Sequence, residues 1–407
     1  MRQPSYRKDW RNRPVRRAAI RVDGTIYADY QAATPTDPRV ITAMTEAMQH
    51  LFANPHSQDH VLGWRAAQAI DQSAQRIAAL VGAEGEEVTF TSGASEANAM
   101  AIAMAIHVSL RSERDTLVIS EGDHGSLRQA ALDSALNIVE IPLDRDGAPD
   151  TARCEELVSD RTAMISVVGV NNENGAIADL EAIGKIATDK GAVFHADLAQ
   201  APLACTLTME SARLGCVTLS SHKLYGPKGI GAFVVADPLR DLVRPLFRGA
   251  GQQDGRRGGT VPTELCVGFG EACRLVLNAC HDERERIGAI RDAFVGAIGQ
   301  NGVGELIGSR GPRHPGNALM RFPGISAADL LGQLQTQVAA STQAACSSGS
   351  IEPSHVLLAM GLSREQAGEC VRFSFGRFSD EAQALEIAAI VCETIERGAT
   401  LHSDRPE

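Results

Sequence analysis

Polar side chains follow several apolar, strand-like runs in this sequence, and three of these clusters could support chemistry. The first is Thr91-Ser92-Gly93-Ala94-Ser95-Glu96, where hydroxyl groups meet the start of a predicted helix whose N–H groups could bind a phosphate. The second provides a carboxylate, Asp197, and the third provides a lysine, Lys223, within Ser220-Ser221-His222-Lys223-Leu224-Tyr225-Gly226-Pro227. A lysine at a strand end suits Schiff-base formation, in which an amine of lowered pKa attacks an aldehyde.

Taken singly, each cluster has a simpler explanation. The hydroxyls could merely cap a helix, and Asp197 could be a cap or the partner of a cationic ring nitrogen. Together they match pyridoxal phosphate (PLP), which requires a phosphate cradle, a lysine for its aldehyde and an acid for its pyridinium nitrogen. Asn171-Asn172-Glu173-Asn174-Gly175 adds amides that could bond the ring substituents. His124 could stack on the ring or be an ordinary loop histidine.

These clusters need a scaffold that brings strand ends together. Between about residues 36 and 235, helical patterns alternate with short apolar runs, which predicts crossover connections and a mostly parallel sheet. The predicted strands are 88–91, 116–120, 137–141, 163–168, 192–195, 216–220 and 231–235. Open sheets of this kind bind ligands at the carboxyl ends of their strands, where the three clusters lie.

Helices and a second unit complete the predicted architecture. One helix begins at Asp37-Pro38, a second spans about 60–81 and a long one spans about 263–299. Strands near 317–322 and 370–374 then predict a smaller α+β unit. The predicted fold class is α/β, with a large domain built on a mostly parallel sheet and a smaller α+β domain.

Composition excludes several classes of protein. The 407 residues carry a formal net charge of −11, which argues against direct binding of nucleic acid, and no apolar run reaches the ~18 residues of a membrane span. Residues 1–20 are rich in arginine, which we interpret as a solvated tail. The nine cysteines show neither Cys-x-x-Cys nor zinc spacing, so we expect no metal site and a reducing, cytoplasmic location.

Further motifs accompany the lysine segment. They are Tyr27-Ala28-Asp29-Tyr30-Gln31-Ala32-Ala33-Thr34-Pro35, Asn54-Pro55-His56-Ser57, Arg257-Gly258-Gly259-Thr260-Val261-Pro262, Ala345-Cys346-Ser347-Ser348-Gly349-Ser350-Ile351-Glu352-Pro353-Ser354 and Val371-Arg372-Phe373-Ser374-Phe375-Gly376-Arg377. With them, the chain resembles the cysteine desulfurases of the class V aminotransferase family, in group I, which has a long cysteine loop. The resemblance runs from about Tyr27 to Arg397, and its last two motifs separate desulfurases from the broader family.

The resemblance implies a fold and a division of the chain. The fold is that of PLP-dependent transferases of fold type I, in which the large domain contains a seven-stranded, mostly parallel sheet. The large PLP-binding domain would span 33–280. A small domain would combine 21–32 with 281–407 and carry the cysteine loop at about 341–352, and 1–20 would be a flexible basic tail.

The resemblance also implies a role for each matching residue. Lys223 would bond the PLP aldehyde, His124 would stack on the ring and shuttle protons, and Cys346 would be the nucleophile that accepts sulfur. The other cofactor contacts would be Ala94, Ser95, Asn172, Asp197, Gln200, Ser220, His222 and, from the second subunit of a homodimer, Thr260. Asn54 and Arg372 would hold the carboxylate of the substrate.

The stretch around Cys346 supports its role on physical grounds. Residues 341–350 are small and include no apolar anchor, so moving this stretch would expose little buried area. A sulfur carrier must reach a buried substrate and then an outside acceptor. The simpler alternative is an incidental thiol. The run Ser-Thr-Gln-Ala-Ala-Cys also departs from the usual Ser-Ser-Gly-Ser-Ala-Cys of the family, which could stiffen the loop.

The predicted function is conversion of L-cysteine to L-alanine, with sulfur transferred to a persulfide on Cys346 and delivered to an acceptor protein. Iron–sulfur cluster assembly, tRNA thiolation and DNA phosphorothioation all draw on such enzymes, and the sequence favours none of the three. A selenocysteine lyase or a transaminase of small amino acids is the nearest alternative. A non-catalytic assembly or regulatory protein that keeps the fold is the more distant one.

Overall fold

The computed structural model of the chain describes residues 19–308, 311–342 and 353–403, with side chains up to 397. Its α-helices are α1 (Pro38–His50), α2 (Val61–Ala78), α3 (Ala94–Ser109), α4 (Gly125–Leu132), α5 (Thr151–Leu157), α6 (Leu180–Lys190), α7 (Ala201–Ala204), α8 (Thr263–Gln300), α9 (Ala327–Leu334), α10 (His355–Ala359), α11 (Arg364–Gly368) and α12 (Glu381–Ser403). Residues 1–18 of the predicted tail, and Cys346 with the rest of 343–352, lie outside the described residues.

The strands form three sheets. They are β1 (Arg21–Val22), β2 (Thr25–Tyr27), β3 (Val88–Thr91), β4 (Thr116–Ser120), β5 (Asn137–Ile141), β6 (Thr162–Val168), β7 (Val193–Asp197), β8 (Cys216–Ser220), β9 (Gly231–Val235), β10 (Glu305–Leu306), β11 (Asn317–Arg321), β12 (Val338–Ala339), β13 (Ser341–Thr342) and β14 (Cys370–Ser374). The large sheet has the order β3-β9-β8-β7-β6-β4-β5, and the smaller ones β10-β11-β14-β13 and β1-β2-β12.

The large sheet is parallel except for β9, which runs antiparallel to both of its neighbours, β3 and β8. The prediction of an α/β fold with a mostly parallel seven-stranded sheet is therefore confirmed. Because β9 returns along β8 after a short connection, residues 221–230 lie at the carboxyl edge of the sheet. This connection contains Lys223.

Helices cover both faces of the large sheet, which explains why its central strands are buried and rich in apolar residues. All seven residues of β6 are buried. Leu117 and Ile119 of β4 pack with α3 and α4 on one face, whereas Val118 packs into the larger cluster on the other face, which includes residues of α2, α6 and α8. Alternating side chains of each strand thus enter two hydrophobic cores.

A further core lies between the smaller sheets and helices α8, α9 and α12. Phe294 and Ile298 of α8 pack there with Phe373 of β14 and Val391 of α12. The first half of α8 packs against the large sheet, and its Cys266 and Cys273 are buried in that core as apolar side chains. One helix of 38 residues, roughly 57 Å long, therefore joins the two regions.

Most predicted elements are found within a few residues of their expected bounds. The second helix is an exception, because it ends at Ala78 and the chain turns before Gly82. The predicted strand 192–195 was also placed too early, since β7 continues through Asp197. This carboxylate consequently stands on the last residue of a strand. Within the described ranges, no helix combines the length and the apolar character needed to cross a bilayer.

Candidate active site

Six parallel strands of the large sheet end at the same edge, and most of the predicted site residues stand on or just after five of these ends. The last residues of these five strands are Thr91, Ser120, Val168, Asp197 and Ser220. Thr91 and Ser220 both pair with Gly231, so the end of β3 and the end of β8 lie on either side of it. The parallel topology brings these segments together at the expected place for a ligand.

Asp197 is a buried carboxylate held by hydrogen bonds. Its Oδ1 accepts from the N–H of Ala199 at 3.0 Å, and its Oδ2 accepts from Asn98 Nδ2 at 2.8 Å. The residue is 4% exposed, and in the described part of the chain it forms no ion pair with a lysine, arginine or histidine. A buried negative charge of this kind favours a cationic partner.

His124 is connected to Asp197 through two residues that the sequence did not indicate. Its Nδ1 accepts from the N–H of Ser126 at 3.1 Å and lies 2.9 Å from Ser126 Oγ, so the imidazole caps α4. Asn98 Nδ2 lies 3.2 Å from the same hydroxyl and also donates to Asp197. The only sequence signal for Asn98 was an amide within a helix rich in alanine and methionine.

A second carboxyl group, Asp123, lies near Asp197. It is completely buried and accepts from the N–H of Ser120 at 2.8 Å and of Val168 at 2.5 Å. Burial raises its pKa to about 8, and the charge of Asp197 adds to this effect. Asp123 is therefore mostly protonated at neutral pH and adds little negative charge to this edge of the sheet.

Lys223 and Gln200 converge on one backbone carbonyl. Lys223 Nζ donates to the carbonyl oxygens of Gln31 at 2.6 Å and Ala32 at 2.8 Å, and Gln200 Nε2 donates to Gln31 at 2.8 Å. Gln31 belongs to the motif 27–35, so this motif touches the lysine directly. Thr34 holds the same segment, because its hydroxyl and its N–H both donate to the carbonyl of His222.

The predicted phosphate-binding residues lie around the start of α3 and the end of β8. Ala94 and Ser95 open the helix, and a Cβ placed on the preceding Gly93 would meet no atom within 4 Å. At β8, Ser220 Oγ lies 3.1 Å from His222 Nδ1. Burial, with the charges of two nearby lysines, lowers the pKa of His222 to about 4, so the ring is neutral at pH 7.

Arg372 is buried on β14 and contacts another predicted residue. Its Nη1 donates to the carbonyl of Asn172 at 2.6 Å and its Nη2 to Asp29 Oδ1 at 2.8 Å. Its Nε is buried and has no hydrogen-bond partner among the described residues. A planar guanidinium with one unpaired N–H suits an incoming carboxylate. The contact with Asp29 was not foreseen, although Asp29 belongs to a motif that was singled out.

Two predicted residues stand apart from this cluster. Asn54 is exposed in the loop before α2, where its Oδ1 accepts from the N–H of His56. Thr260 is exposed after a loop that is fastened by Arg257, whose Nε lies 3.0 Å from Glu96 Oε1. Neither residue takes part in the hydrogen bonds described above for Lys223 and Asp197. Cys346 lies outside the described residues, so the structure gives no position for its thiol.

The donors and acceptors at this edge fit PLP. The unpaired carboxylate of Asp197 complements a pyridinium N–H, and the amine of Lys223 is suited to bond an aldehyde. Open space adjoins the start of α3, where the N–H groups of a 16-residue helix favour a phosphate. Each of the three requirements of the cofactor is thus met by a different strand end.

Comparison with known proteins agrees with this geometry. The family model described as aminotransferase class-V matches residues 26–386. The cysteine desulfurase IscS of Rickettsia bellii is 35% identical over 377 residues, which cover 91% of each chain. The chain belongs to the class-V aminotransferase family, among its cysteine desulfurases. The resemblance found in the sequence is therefore confirmed, and this family consists of PLP-dependent enzymes.

Solved structures of similar proteins agree with the assignment of this chain to the class-V family. A NifS-like protein superposes with a TM-score of 0.84, and the match covers 91% of this chain and 99% of that protein. The two sequences are 24% identical, so this match supports the fold alone. A structure titled SspA in complex with cysteine is 30% identical, with a TM-score of 0.76, and covers 86% of this chain and 99% of its own.

Proposed function

We propose that this chain takes the sulfur atom from L-cysteine, releases L-alanine and holds the sulfur as a persulfide on Cys346 until an acceptor protein removes it. One observation carries the proposal. The amine of Lys223 and the buried, unpaired carboxylate of Asp197 lie at adjacent strand ends of a cysteine desulfurase fold. This pairing of groups serves chemistry at the α-carbon of an amino acid.

PLP would be held by residues at the edge of the large sheet. Lys223 would bond its aldehyde, Asp197 would pair with its ring nitrogen, and the phosphate would bind to Ala94, Ser95, Ser220 and His222. When bound, PLP withdraws electrons from the α-carbon of the amino acid and thereby weakens the bonds next to it. Asn172 and Gln200 would contact the ring substituents, and His124 would stack on its face.

Lys223 would also move the proton of the substrate α-carbon. Once the substrate amine has replaced it, the amine of Lys223 can accept that proton and return it. The carbonyls of Gln31 and Ala32, both within 2.8 Å of Nζ, provide a position for the resulting ammonium group. His124, joined to Asp197 through Asn98 and Ser126, would exchange protons with the departing groups.

Arg372 would bind the carboxylate of L-cysteine. Its Nε is buried without a partner in the described chain, and the bond from Nη1 to Asn172 fixes the plane of the guanidinium. Asn54 would assist from its exposed loop. A carboxylate held at Arg372 would restrict the orientation of the substrate for attack on its sulfur.

Cys346 would then attack the sulfur of the substrate as a thiolate. An S–S bond forms as the C–S bond breaks, the electron pair of that bond passes to the substrate carbon, and a proton completes L-alanine. L-cysteine and a thiol thus become L-alanine and a persulfide, with no external oxidant. Among the described cysteines, six are buried and Cys205 and Cys280 are partly exposed.

The working form would be a homodimer in the cytoplasm. Large apolar side chains are exposed on and near α1 and α2, including Ile41, Met48, Phe52 and Trp64, and Phe247 is exposed in the loop that leads to Thr260. Their burial against a second copy would stabilise the pair. Thr260, exposed in one chain, would reach the phosphate of the partner, and this pairing would complete both sites.

The proposal is tested by measuring L-alanine and protein-bound persulfide after adding L-cysteine to the yellow, PLP-loaded protein. Lys223→Ala should abolish L-alanine formation. Cys346→Ser should keep the yellow colour and lose the persulfide, and a persulfide on another cysteine would reassign the nucleophile. Purified protein that stays colourless with PLP would contradict the enzymatic function altogether. Equal or faster release of L-alanine from selenocysteine would favour a selenocysteine lyase.

A further inference from the structure

Two carboxyl groups lie beside Arg372, and each binds a serine from one end of the segment that contains Cys346. Asp29 accepts from Arg372 Nη2 through Oδ1 and from Ser341 Oγ at 2.6 Å through Oδ2. Glu173 accepts a hydrogen bond from the hydroxyl of Ser354. Ser341 lies two residues before the segment 343–352 and Ser354 two residues after it, and each donates its hydroxyl hydrogen to a carboxyl group.

The Ser341 end is fixed by backbone as well as side-chain bonds. β13 pairs antiparallel with β14, which places Ser341 directly opposite Arg372. Asp29 forms a parallel bridge with Ser374, at the far end of β14. The chain therefore enters the Cys346 segment from a strand that is paired with the substrate-binding arginine itself.

The Ser354 end is fixed by a buried contact. Ser354 is 7% exposed and caps α10 by accepting from the N–H groups of Val356 at 3.1 Å and Leu357 at 3.3 Å. Its hydroxyl hydrogen is thereby directed to Glu173. Burial raises the pKa of Glu173 to about 7, while the bond from Ser354 and the charge of Arg372 act in the opposite direction.

Glu173 is held in turn by its neighbours. Its N–H donates to Asn171 Oδ1 at 2.8 Å, and its carbonyl accepts from Asn317 Nδ2 at 2.9 Å. The adjacent carbonyl, that of Asn172, accepts from Arg372 Nη1. One end of the Cys346 segment is thus attached to Asp29, which bonds Arg372 directly, and the other to Glu173, the residue after Asn172, whose carbonyl bonds Arg372.

We infer that Asp29 and Glu173 are positioning residues for sulfur transfer, which fix the two ends of the Cys346 segment against Arg372. The inference rests on the proposed function and adds the residues that control its second step. Sulfur transfer requires the thiolate to come within about 3–3.5 Å of the substrate sulfur in a suitable direction. Arg372 would bind the carboxylate of the substrate. Holding Ser341 and Ser354 close to Arg372 would therefore limit the distance between the Cys346 segment and the substrate.

The experiment separates binding of the substrate from transfer of its sulfur. Ser341→Ala and Ser354→Ala are made singly and together in the full chain loaded with PLP. Binding is measured as the dissociation constant of L-alanine, which carries the carboxylate but no sulfur, from the absorbance of the cofactor. Transfer is measured as the single-turnover rate of persulfide formation on Cys346, identified on its peptide by mass spectrometry.

Two further variants control for structural damage. Ser363→Ala removes a comparable helix cap, since Ser363 Oγ accepts from the N–H of Gln366 at the start of α11, far along the chain from Asp29 and Glu173. Ser354→Thr keeps both the hydroxyl and the cap. The Ser363→Ala variant should match the parent in binding and in transfer, and Ser354→Thr should recover most of the rate.

We expect the double serine variant to bind L-alanine as the parent does and to transfer sulfur about 10- to 100-fold more slowly, an effect typical of misplacing a reacting group by ~1 Å. Transfer at the rate of the parent would overturn the inference, as would an equal loss in Ser363→Ala. Equal losses of binding and transfer would also overturn it. A parent chain that forms no persulfide on Cys346 would instead contradict the proposed function.

Discussion

The guanidinium of Arg377 lies 4.2 Å from the centre of the Tyr225 ring, and the backbone N–H of Arg377 donates to the Tyr225 hydroxyl at 2.6 Å. Tyr225 follows Lys223 by two residues and has a left-handed backbone, with φ of 63°. Such a conformation is strained for a tyrosine and persists only where the surroundings enforce it. Arg377 thus helps to hold the connection that carries the lysine.

Arg377 is itself held by two buried carboxylates. Its Nε and Nη2 donate to the two oxygens of Glu283, at 2.8 and 3.0 Å, and its Nη1 donates to Asp37 Oδ2 at 2.9 Å. We predict that Arg377→Met lowers the free energy of unfolding by about 3–5 kcal/mol, because it leaves buried charges without a partner. Unfolding in urea measures this loss.

A second substitution tests the stated cause. Adding Glu283→Leu to Arg377→Met removes one of the uncompensated charges, so the double variant should be more stable than the sum of the single changes predicts. Arg153→Met, which removes an exposed pair with Glu156, should change little. Strictly additive losses would show that Arg377 contributes through packing instead of charge.

Asn98 provides a prediction about cofactor binding. It is fully buried, and its Nδ2 donates to Asp197 and lies close to the Ser126 hydroxyl. Asn98→Ala removes a hydrogen bond to a charged group, which is worth about 1.5–3 kcal/mol, so PLP should bind about 10- to 100-fold more weakly. Equilibrium titration of the protein freed of PLP, followed by absorbance, measures the dissociation constant.

The control for Asn98 is an amide far from the edge of the large sheet. Asn301 is exposed at the end of α8, where its Nδ2 bonds the carbonyl of Ala297. Asn301→Ala should bind PLP like the parent. If Asn98→Ala also binds PLP like the parent, Asp197 is oriented by other groups, and the connection from Asp197 to His124 has no role in holding the cofactor.

The sequence predicted the large sheet well because burial on both faces leaves a strong local pattern. Strands such as β6 are short, mostly apolar and fully buried, and the helices between them indicate parallel crossover connections. Lys223 and Asp197 were also found, since each is a charged residue within three residues of the end of an apolar run. The roles of these two residues stay predictions. The division into a large domain, 33–280, and a small domain, 21–32 with 281–407, also stays a prediction.

Contacts between residues far apart in the chain, in contrast, could not be predicted from a local run of apolar residues. Asn98 meets Asp197 across 99 residues, and Asp29 meets Arg372 across 343. A buried amide in a helix can satisfy its own hydrogen bonds in many ways, so its type and position do not reveal its partner. The end of β7 was placed at His195, two residues short of Asp197, whose carboxylate is satisfied within the strand by Asn98 and Ala199.

His195 leads to a prediction about pH. It is buried in β7 between Ser166 Oγ, 2.7 Å from Nδ1, and Thr218 Oγ1, 3.0 Å from Nε2. Burial lowers its pKa from 6.5 to about 4, although Asp197 acts in the other direction. Between these values the unfolded chain takes up a proton and the folded chain does not, so protonation favours unfolding as the pH falls.

The stability contributed by His195 should therefore be complete above pH 6.5 and decline toward pH 4. The full shift corresponds to about 3 kcal/mol. His195→Gln cannot take up a proton, so its free energy of unfolding should fall less than that of the parent between pH 7 and pH 4.5. Parallel pH profiles for parent and variant, measured by urea unfolding, would show that His195 does not titrate on unfolding.

The start of β9 offers a test of the phosphate-binding region. A Cβ on Gly231 would lie 2.7 Å from the carbonyl carbon of Gly93 and 2.7 Å from the carbonyl oxygen of Leu219. Both neighbours are backbone atoms, so the added methyl must push the end of β8 and the start of α3 apart. We expect Gly231→Ala to lower the free energy of unfolding by about 1–3 kcal/mol.

The same displacement should weaken the hold on the phosphate more than the hold on the ring. The ratio of the affinities for pyridoxal phosphate and for pyridoxal, which lacks the phosphate, isolates this effect and should fall in Gly231→Ala. Gly125→Ala is the matched control, because a Cβ there meets no atom within 4 Å and Gly125 opens α4 instead. An unchanged ratio in Gly231→Ala would place the phosphate away from the junction of β3, β8 and β9.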